Sequence, residues 1–154
     1  MLWTIISLLV SALAIGVAVY FYKWVQALPV EGEKIIHVGE LIRNGAFTFL
    51  KREYRILAGF VAIVSVLVLL VYPSPIWQGN VGENIFAAII YIAGAALSAL
   101  AGYVGISIAT LANMRAAYAA KKGLVPSYMA GFRGGAVMGM AVVGSSLLGV
   151  SLVL

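Results

Sequence analysis

Four uncharged, strongly apolar stretches alternate with three polar ones along this chain. Leu2 to Tyr22, Ile56 to Tyr72, Ile85 to Ala112 and Gly134 to Leu154 contain no Asp, Glu, Lys, Arg or His. Each is near the roughly 20 apolar residues that an α-helix needs to cross a bilayer. The pattern predicts an all-α integral membrane protein with four transmembrane helices over 2–22, 56–72, 85–112 and 134–154. Tyr20, Tyr22 and Trp24 close the first span as an interfacial aromatic belt. Pro73 and Pro75 stop the second. The last residues, Val150 to Leu154, are still apolar, so the chain looks cut short.

The polar stretches have different characters. In 23–55, Pro29 and Gly32 break the chain, and a helical pattern begins at Glu33. Ile35, Val38, Ile42 and Phe49 can share one face, with Lys34, Arg43 and Arg52 elsewhere. That predicts an amphipathic cytoplasmic helix between the first two spans, bent near Asn44 and Gly45. Residues 73–84 form a short external loop, with Trp77 as an interface anchor and Glu83 as its one charge. Residues 113–133 form a second cytoplasmic segment, broken at Gly123 and Pro126.

Small residues distinguish the spans. Gly94, Ser98 and Gly102 fall four apart in the third, and Ala101, Gly105 and Ala109 form a second such row. In lipid there is little hydrophobic drive between helices, and small residues at this spacing let backbones approach closely. The third span is therefore expected to pack on more than one side. Gly135 and Gly139 give the fourth span a similar surface, with Gly144 and Gly149 beyond. The second span is rich in Val, Ile and Leu and is expected to face lipid.

Composition confirms the class and charge adds an orientation. The 154 residues are 64% hydrophobic and 10% charged, where a soluble domain carries about 25%. The formal charge of +5 does not point to nucleic acid, because all ten Lys and Arg fall between Lys23 and Arg55 or between Arg115 and Arg133. That is the positive-inside pattern, which places both basic segments in the cytoplasm and the N-terminus outside. Arg43, Arg52, Arg115 and Arg133 are the expected cytoplasmic anchors. No basic residue precedes the first span, so it reads as an uncleaved helix and not as a secretory signal. Without cysteine there is no disulfide or thiolate chemistry.

Candidate chemistry is sparse. Glu33, His37 and Glu40 share a helix, but a single histidine in the chain does not supply the convergent ligands that a metal needs. Gly131, Arg133, Gly134 and Gly135 offer the glycines and the cation of a phosphate cradle, yet the Gly-Lys-Ser/Thr ending of a P-loop is missing. Arg133, Lys121 and Lys122 suit lipid headgroups better. No ionisable residue lies within a span, and ion pathways are built from such residues. The four spans alone are not expected to conduct or pump.

Three segments resemble one family, the membrane-bound ion-translocating pyrophosphatases. They are Ile42-Arg43-Asn44-Gly45-Ala46-Phe47-Thr48-Phe49-Leu50-Lys51-Arg52-Glu53-Tyr54, then Ser98-Ala99-Leu100-Ala101-Gly102-Tyr103-Val104-Gly105 with Ala112-Asn113-Met114-Arg115, and Phe132-Arg133-Gly134-Gly135-Ala136-Val137-Met138-Gly139. They are similar to the approach to the second helix, the third helix with its exit, and the opening of the fourth. The resemblance implies the N-terminal part of a subunit with sixteen spans that forms a homodimer in the cell membrane. It implies hydrolysis of inorganic pyrophosphate with Mg2+, in some members with K+, driving protons or sodium ions outward. The family's ligands are Asp-rich motifs, and this sequence has no aspartate. No catalytic, cofactor-binding or metal residue is carried over, and none is expected to be bound by this chain. The residues singled out are structural: Gly94, Ser98, Gly102, Gly105, Gly135 and Gly139 as helix-packing positions. The expected partners are the bilayer and the remaining helices of a longer polypeptide. The rival readings are a stand-alone four-helix scaffold and, less suited for lack of an intramembrane carboxylate, a small exporter of lipophilic cations.

Overall fold

The computed structural model describes residues 2–75, 77 and 81–153. Part of the expected external loop (residues 76 and 78–80) and the expected end of the fourth span (Leu154) lie outside them. The described chain forms α1 (Leu2–Ala27), α2 (Glu33–Val71), α3 (Val81–Ala119), a short 3-10 turn (Ala120–Lys122) and α4 (Leu124–Val153). All four α-helices are long and apolar enough to cross a membrane.

The boundaries differ from expectation in three places, each with a local cause. The amphipathic helix and the second span are one uninterrupted helix, α2, which passes through Asn44 and Gly45. Those residues cost a helix only about 1 kcal/mol each, and neither removes a backbone donor. The helix that holds the third span runs on to Ala119. Residues 113–133, expected as a cytoplasmic segment, form the end of α3, the 3-10 turn and the start of α4. Gly123 does break the chain, at φ 127°, but Pro126 is the third residue of α4. There its missing N–H is one that no intrahelical carbonyl would have used. Pro29 lies between α1 and α2, and Gly32, at φ 106°, precedes α2.

At 39 residues each, α2 and α3 are about 58 Å long, well beyond the roughly 30 Å of hydrocarbon in a bilayer. Their excess lies at the same end, since α2 begins and α3 ends beside the end of α1. Seven of the ten Lys and Arg (Lys23, Lys34, Arg43, Arg115, Lys121, Lys122 and Arg133) sit toward this end of the bundle, while Lys51, Arg52 and Arg55 lie at the middle of α2, where Tyr54 reaches the Ala99 carbonyl.

The helices pack antiparallel in the spatial order α2, α3, α4, α1. α3 touches each of the others, and α4 lies between α1 and α3. Among the described residues, α2 packs on neither α1 nor α4. The buried positions of the inner three recur in steps of three and four: Ser11, Ala14, Ala18 and Val25 on α1; Ala101, Gly105, Ile108 and Ala112 on α3; Ala130, Gly134, Val137, Gly144 and Ser151 on α4. That is the 3.5-residue period of left-handed helix packing, filled with small side chains. Ala18, Val25, Ile108, Ala112 and Val137 form the central cluster.

Polar links fix the register. Ser11 Oγ donates to the Gly144 carbonyl at 2.7 Å, joining α1 to α4. Tyr54 Oη donates to the Ala99 carbonyl, joining α2 to α3. Asn84 is fully buried at the start of α3, and its Nδ2 donates to the carbonyls of Leu69 (3.0 Å) and Ser74 (2.8 Å). The Leu69 carbonyl would ordinarily accept from the residue four on. That residue is Pro73, which has no N–H, so Asn84 supplies the donor the helix lacks.

Candidate functional site at the basic end

The junction of α1, α3 and α4 gathers Arg115, Arg133, Tyr118, Lys121 and Lys122. Arg115, near the end of α3, donates through Nη2 to the Gln26 carbonyl at 2.9 Å and through Nη1 to the Leu111 carbonyl at 3.2 Å. Gln26 lies in the last turn of α1, whose carbonyls have no intrahelical donor. α1 has no basic residue there, so the cation that suits its C-terminal dipole comes from α3. Arg115 Nε is buried and makes no hydrogen bond.

Arg133 is half-buried and lies over the Trp24 ring at 3.9 Å and the Phe21 ring at 5.6 Å, tying α4 to α1 by cation–π contact. Tyr118 Oη donates to Glu31 Oε2 at 2.9 Å. Lys121 and Lys122 place their Nζ atoms 5.5 and 5.6 Å from the Tyr118 ring centre. Ser127 Oγ, in the first turns of α4, donates to the Ala116 carbonyl at 3.0 Å. Trp24, Leu28, Arg115, Tyr118, Lys122 and Met129 line a cavity of about 370 Å³ in this junction.

A second cleft, of about 330 Å³, runs between α2 and α3. Ile35, Val38 and Ile42 line it opposite Thr110, Asn113 and Met114. Phe49, expected on the same face, is 60% exposed instead. The face that meets α3 passes through Gly39, Phe47, Leu50 and Tyr54. Gly39 and Leu50 are buried, and Phe47 meets Tyr103 edge to face at 5.8 Å. Arg43 lies 5.7 Å from the Phe47 ring, and Arg52 is exposed.

The six small-residue positions fall into two groups. Around Gly105 a Cβ would stand 2.9 Å from Met138 Cγ, and at Gly102 it would stand 3.1 Å from Tyr54 Oη. Gly94, Gly135 and Gly139 face open space, and Ser98 is exposed. Other glycines make the closest approaches. A Cβ on Gly134 would collide with Ala112 Cβ, one on Gly39 with Met114, and one on Gly144 would lie 2.7 Å from Ile15 Cγ1. Sequence spacing missed these three. The step of three and four from Ala130 through Gly134 and Val137 to Gly144 is the signal that would have found two of them.

Glu33, His37 and Glu40 are all exposed on α2. Among the described residues no three His, Cys, Asp or Glu side chains are placed to share a metal ion. The junction gathers cations, and among the described residues it holds no carboxylate array for chemistry on a phosphoanhydride.

The family described as inorganic H+ pyrophosphatase matches residues 12–154. A K(+)-insensitive pyrophosphate-energized proton pump of Methanosarcina mazei is 35% identical over 93% of this chain and 20% of its own length. A second pump of that description, from Moorella thermoacetica, is 38% identical over 90% of the chain and 19% of its length. A K(+)-stimulated pyrophosphate-energized sodium pump of Thermotoga maritima is 35% identical over 94% of the chain and 19% of its length. The chain thus spans about a fifth of the curated relatives it matches.

Proposed function

Because this multi-pass membrane chain belongs to the inorganic H+ pyrophosphatase family, we propose that it is the N-terminal part of a pump in the cell membrane that couples pyrophosphate hydrolysis to outward movement of protons or sodium ions. The observation that carries this is the match itself, which runs through nearly the whole chain yet takes up only a fifth of each relative. Identity does not separate the proton pumps from the sodium pump, at 35% and 38% against 35%. The choice of ion belongs to residues elsewhere in the polypeptide.

In this reading the four helices buttress a catalytic core and carry no chemistry. Magnesium pyrophosphate needs several convergent carboxylates to hold the metal against the phosphates. This chain has no aspartate and five glutamates, none of them in a metal-holding group among the described residues. Its residues do not fit the metal. Mg2+, and K+ where it is used, would be held by the rest of the polypeptide, and the 154-residue chain alone is inactive.

The N-terminus lies outside and the basic end faces the cytoplasm. The support is the gathering of seven of the ten cations toward one end of the bundle and the lack of any Lys or Arg in the 73–84 stretch of the sequence, the arrangement that the positive-inside rule assigns to these two sides. The first half of α2, which turns Gly39 and Leu50 to α3 and leaves its charged side chains exposed, is then an amphipathic cytoplasmic extension of the second span. The full-length subunit pairs with a second copy.

The test is to express the full open reading frame that contains this chain and measure phosphate release from pyrophosphate with Mg2+, together with ion uptake into inverted vesicles. The expected result is Mg2+-dependent hydrolysis coupled to uptake, with none from the 154-residue chain. A reading frame that closes after Leu154, with a product that accumulates in membranes and hydrolyses nothing, would leave a stand-alone scaffold.

A further inference from the structure

The geometry points to a binding site for the phosphate headgroup of one anionic phospholipid in the cavity between α1, α3 and the start of α4. Three independent features converge there. The first is charge: Arg115 and Lys122 line the cavity, and among the described residues neither is paired with a carboxylate. Arg115 uses two of its five N–H donors on backbone carbonyls, which fixes the guanidinium and leaves donors over. Lys122 sits on the Tyr118 ring, so both cations are held in place before a ligand arrives.

The second is the apolar wall. Leu28, Val125 and Met129 continue the cavity away from the cations. On the start of α4, Leu124 is 84% exposed and Val125 70%. Tyr128 and Phe132 follow, both exposed, with their rings stacked 5.7 Å apart. This first stretch of α4, expected from sequence to be a polar cytoplasmic segment, is thus an apolar surface directly beside Lys121 and Lys122. Free phosphate has no use for such a wall, whereas a glycerol backbone and the top of an acyl chain do.

The third is depth. Trp24 lines the same cavity and holds Arg133 over its ring, a pairing suited to the headgroup level of a bilayer. The carboxylate of Glu31, which lies beside this cavity, is already engaged by Tyr118 Oη. The lipid phosphate would take the remaining Nη donors of Arg115 and Lys122 Nζ, with its chains running along Val125 and Met129. The site requires only that the basic end lie in a headgroup layer, and it does not depend on the pump reading or on which leaflet that is.

The test places p-benzoyl-phenylalanine in place of Val125, or of Met129 if that variant does not accumulate, in the full polypeptide. It is reconstituted in vesicles of equal phosphatidylglycerol and phosphatidylcholine, irradiated, and the adduct masses on the labelled peptide are read. Phosphatidylglycerol adducts are expected to exceed phosphatidylcholine adducts by about fivefold or more, and Lys122→Gln to lower that preference about fivefold. Lys51→Gln, on exposed α2, should leave it unchanged, as should millimolar inorganic phosphate. Equal labelling of the two lipids, or a preference that survives Lys122→Gln, overturns the site. Loss of the preference on adding phosphate assigns the cavity to free phosphate and overturns the lipid. Adducts to another peptide of the same protein, in place of lipid, show that a further helix fills the cavity and likewise overturn the site.

Discussion

Along α4 the backbone itself meets its neighbours, with Gly144 under Ile15 and the Ser11 carbonyl, and Gly134 against the Ala112 methyl. α2 meets α3 mostly through side chains: the Tyr54 hydroxyl on the Ala99 carbonyl, Phe47 on Tyr103, and the Asn84 amide on the carbonyls at the far end of α2. Beyond these ties, toward the start of α2, lies a cleft of about 330 Å³. The buried residues of α2, Gly39 and Leu50, both precede its apolar span. Where glycine and alanine recur at three and four, dispersion contacts accumulate along a whole helix without help from water. Where the apolar residues are large and branched, as in Ile56 to Val71, a helix is apolar enough to enter the membrane but offers a neighbour no close seat.

This contrast makes the α1–α4–α3 seam sensitive to shape and the α2–α3 seam sensitive to hydrogen bonds. The largest effect is expected from Gly134→Val, which forces α3 and α4 apart and should lower the unfolding free energy in detergent by about 3 kcal/mol. Gly135→Val, one residue on and facing open space, should change it by no more than about 0.5 kcal/mol. Equal losses for the two would erase the distinction between the faces of α4. Asn84→Ala strands the Leu69 and Ser74 carbonyls and should cost about 2 kcal/mol. Hydrogen exchange should then rise at the end of α2 while α1 stays protected.

Smaller effects sharpen the same comparison. Tyr54→Phe removes one polar tie from the looser seam and should cost about 1 kcal/mol, read as faster proteolysis of α2. Ser11→Ala removes a bond from a seam that shape already holds, and about 0.6 kcal/mol is expected. A larger loss at Ser11 than at Gly134 would invert the account.

The apolar runs made all four membrane helices legible, because a span's length and lack of charge are properties of the sequence alone. The small-residue composition of α3 likewise announced a helix packed on several sides. The boundaries were less legible. Asn44 and Gly45 look like a bend but remove no backbone donor, so α2 runs through them. Pro126 looks like a stop but sits where a helix does not need its N–H. Which glycines touch was the least legible feature. Gly134 and Gly135 are adjacent and chemically identical, and only the rotation of α4 against α3 decides that the first is buried and the second open. Gly94, Ser98, Gly135 and Gly139 share the i, i+4 spacing of a contact surface but face outward from these four helices. Asn84 could not be chosen from sequence, because its role depends on Pro73 lying beside it in space.

The claim that this segment supports a pump without taking part in its chemistry is tested most directly by turnover in the full-length polypeptide carrying Gly134→Val. The account predicts a lower yield of assembled pump, with pyrophosphate hydrolysis per assembled molecule unchanged. A normal yield with reduced hydrolysis per molecule would contradict it and place the α3–α4 seam within the catalytic cycle.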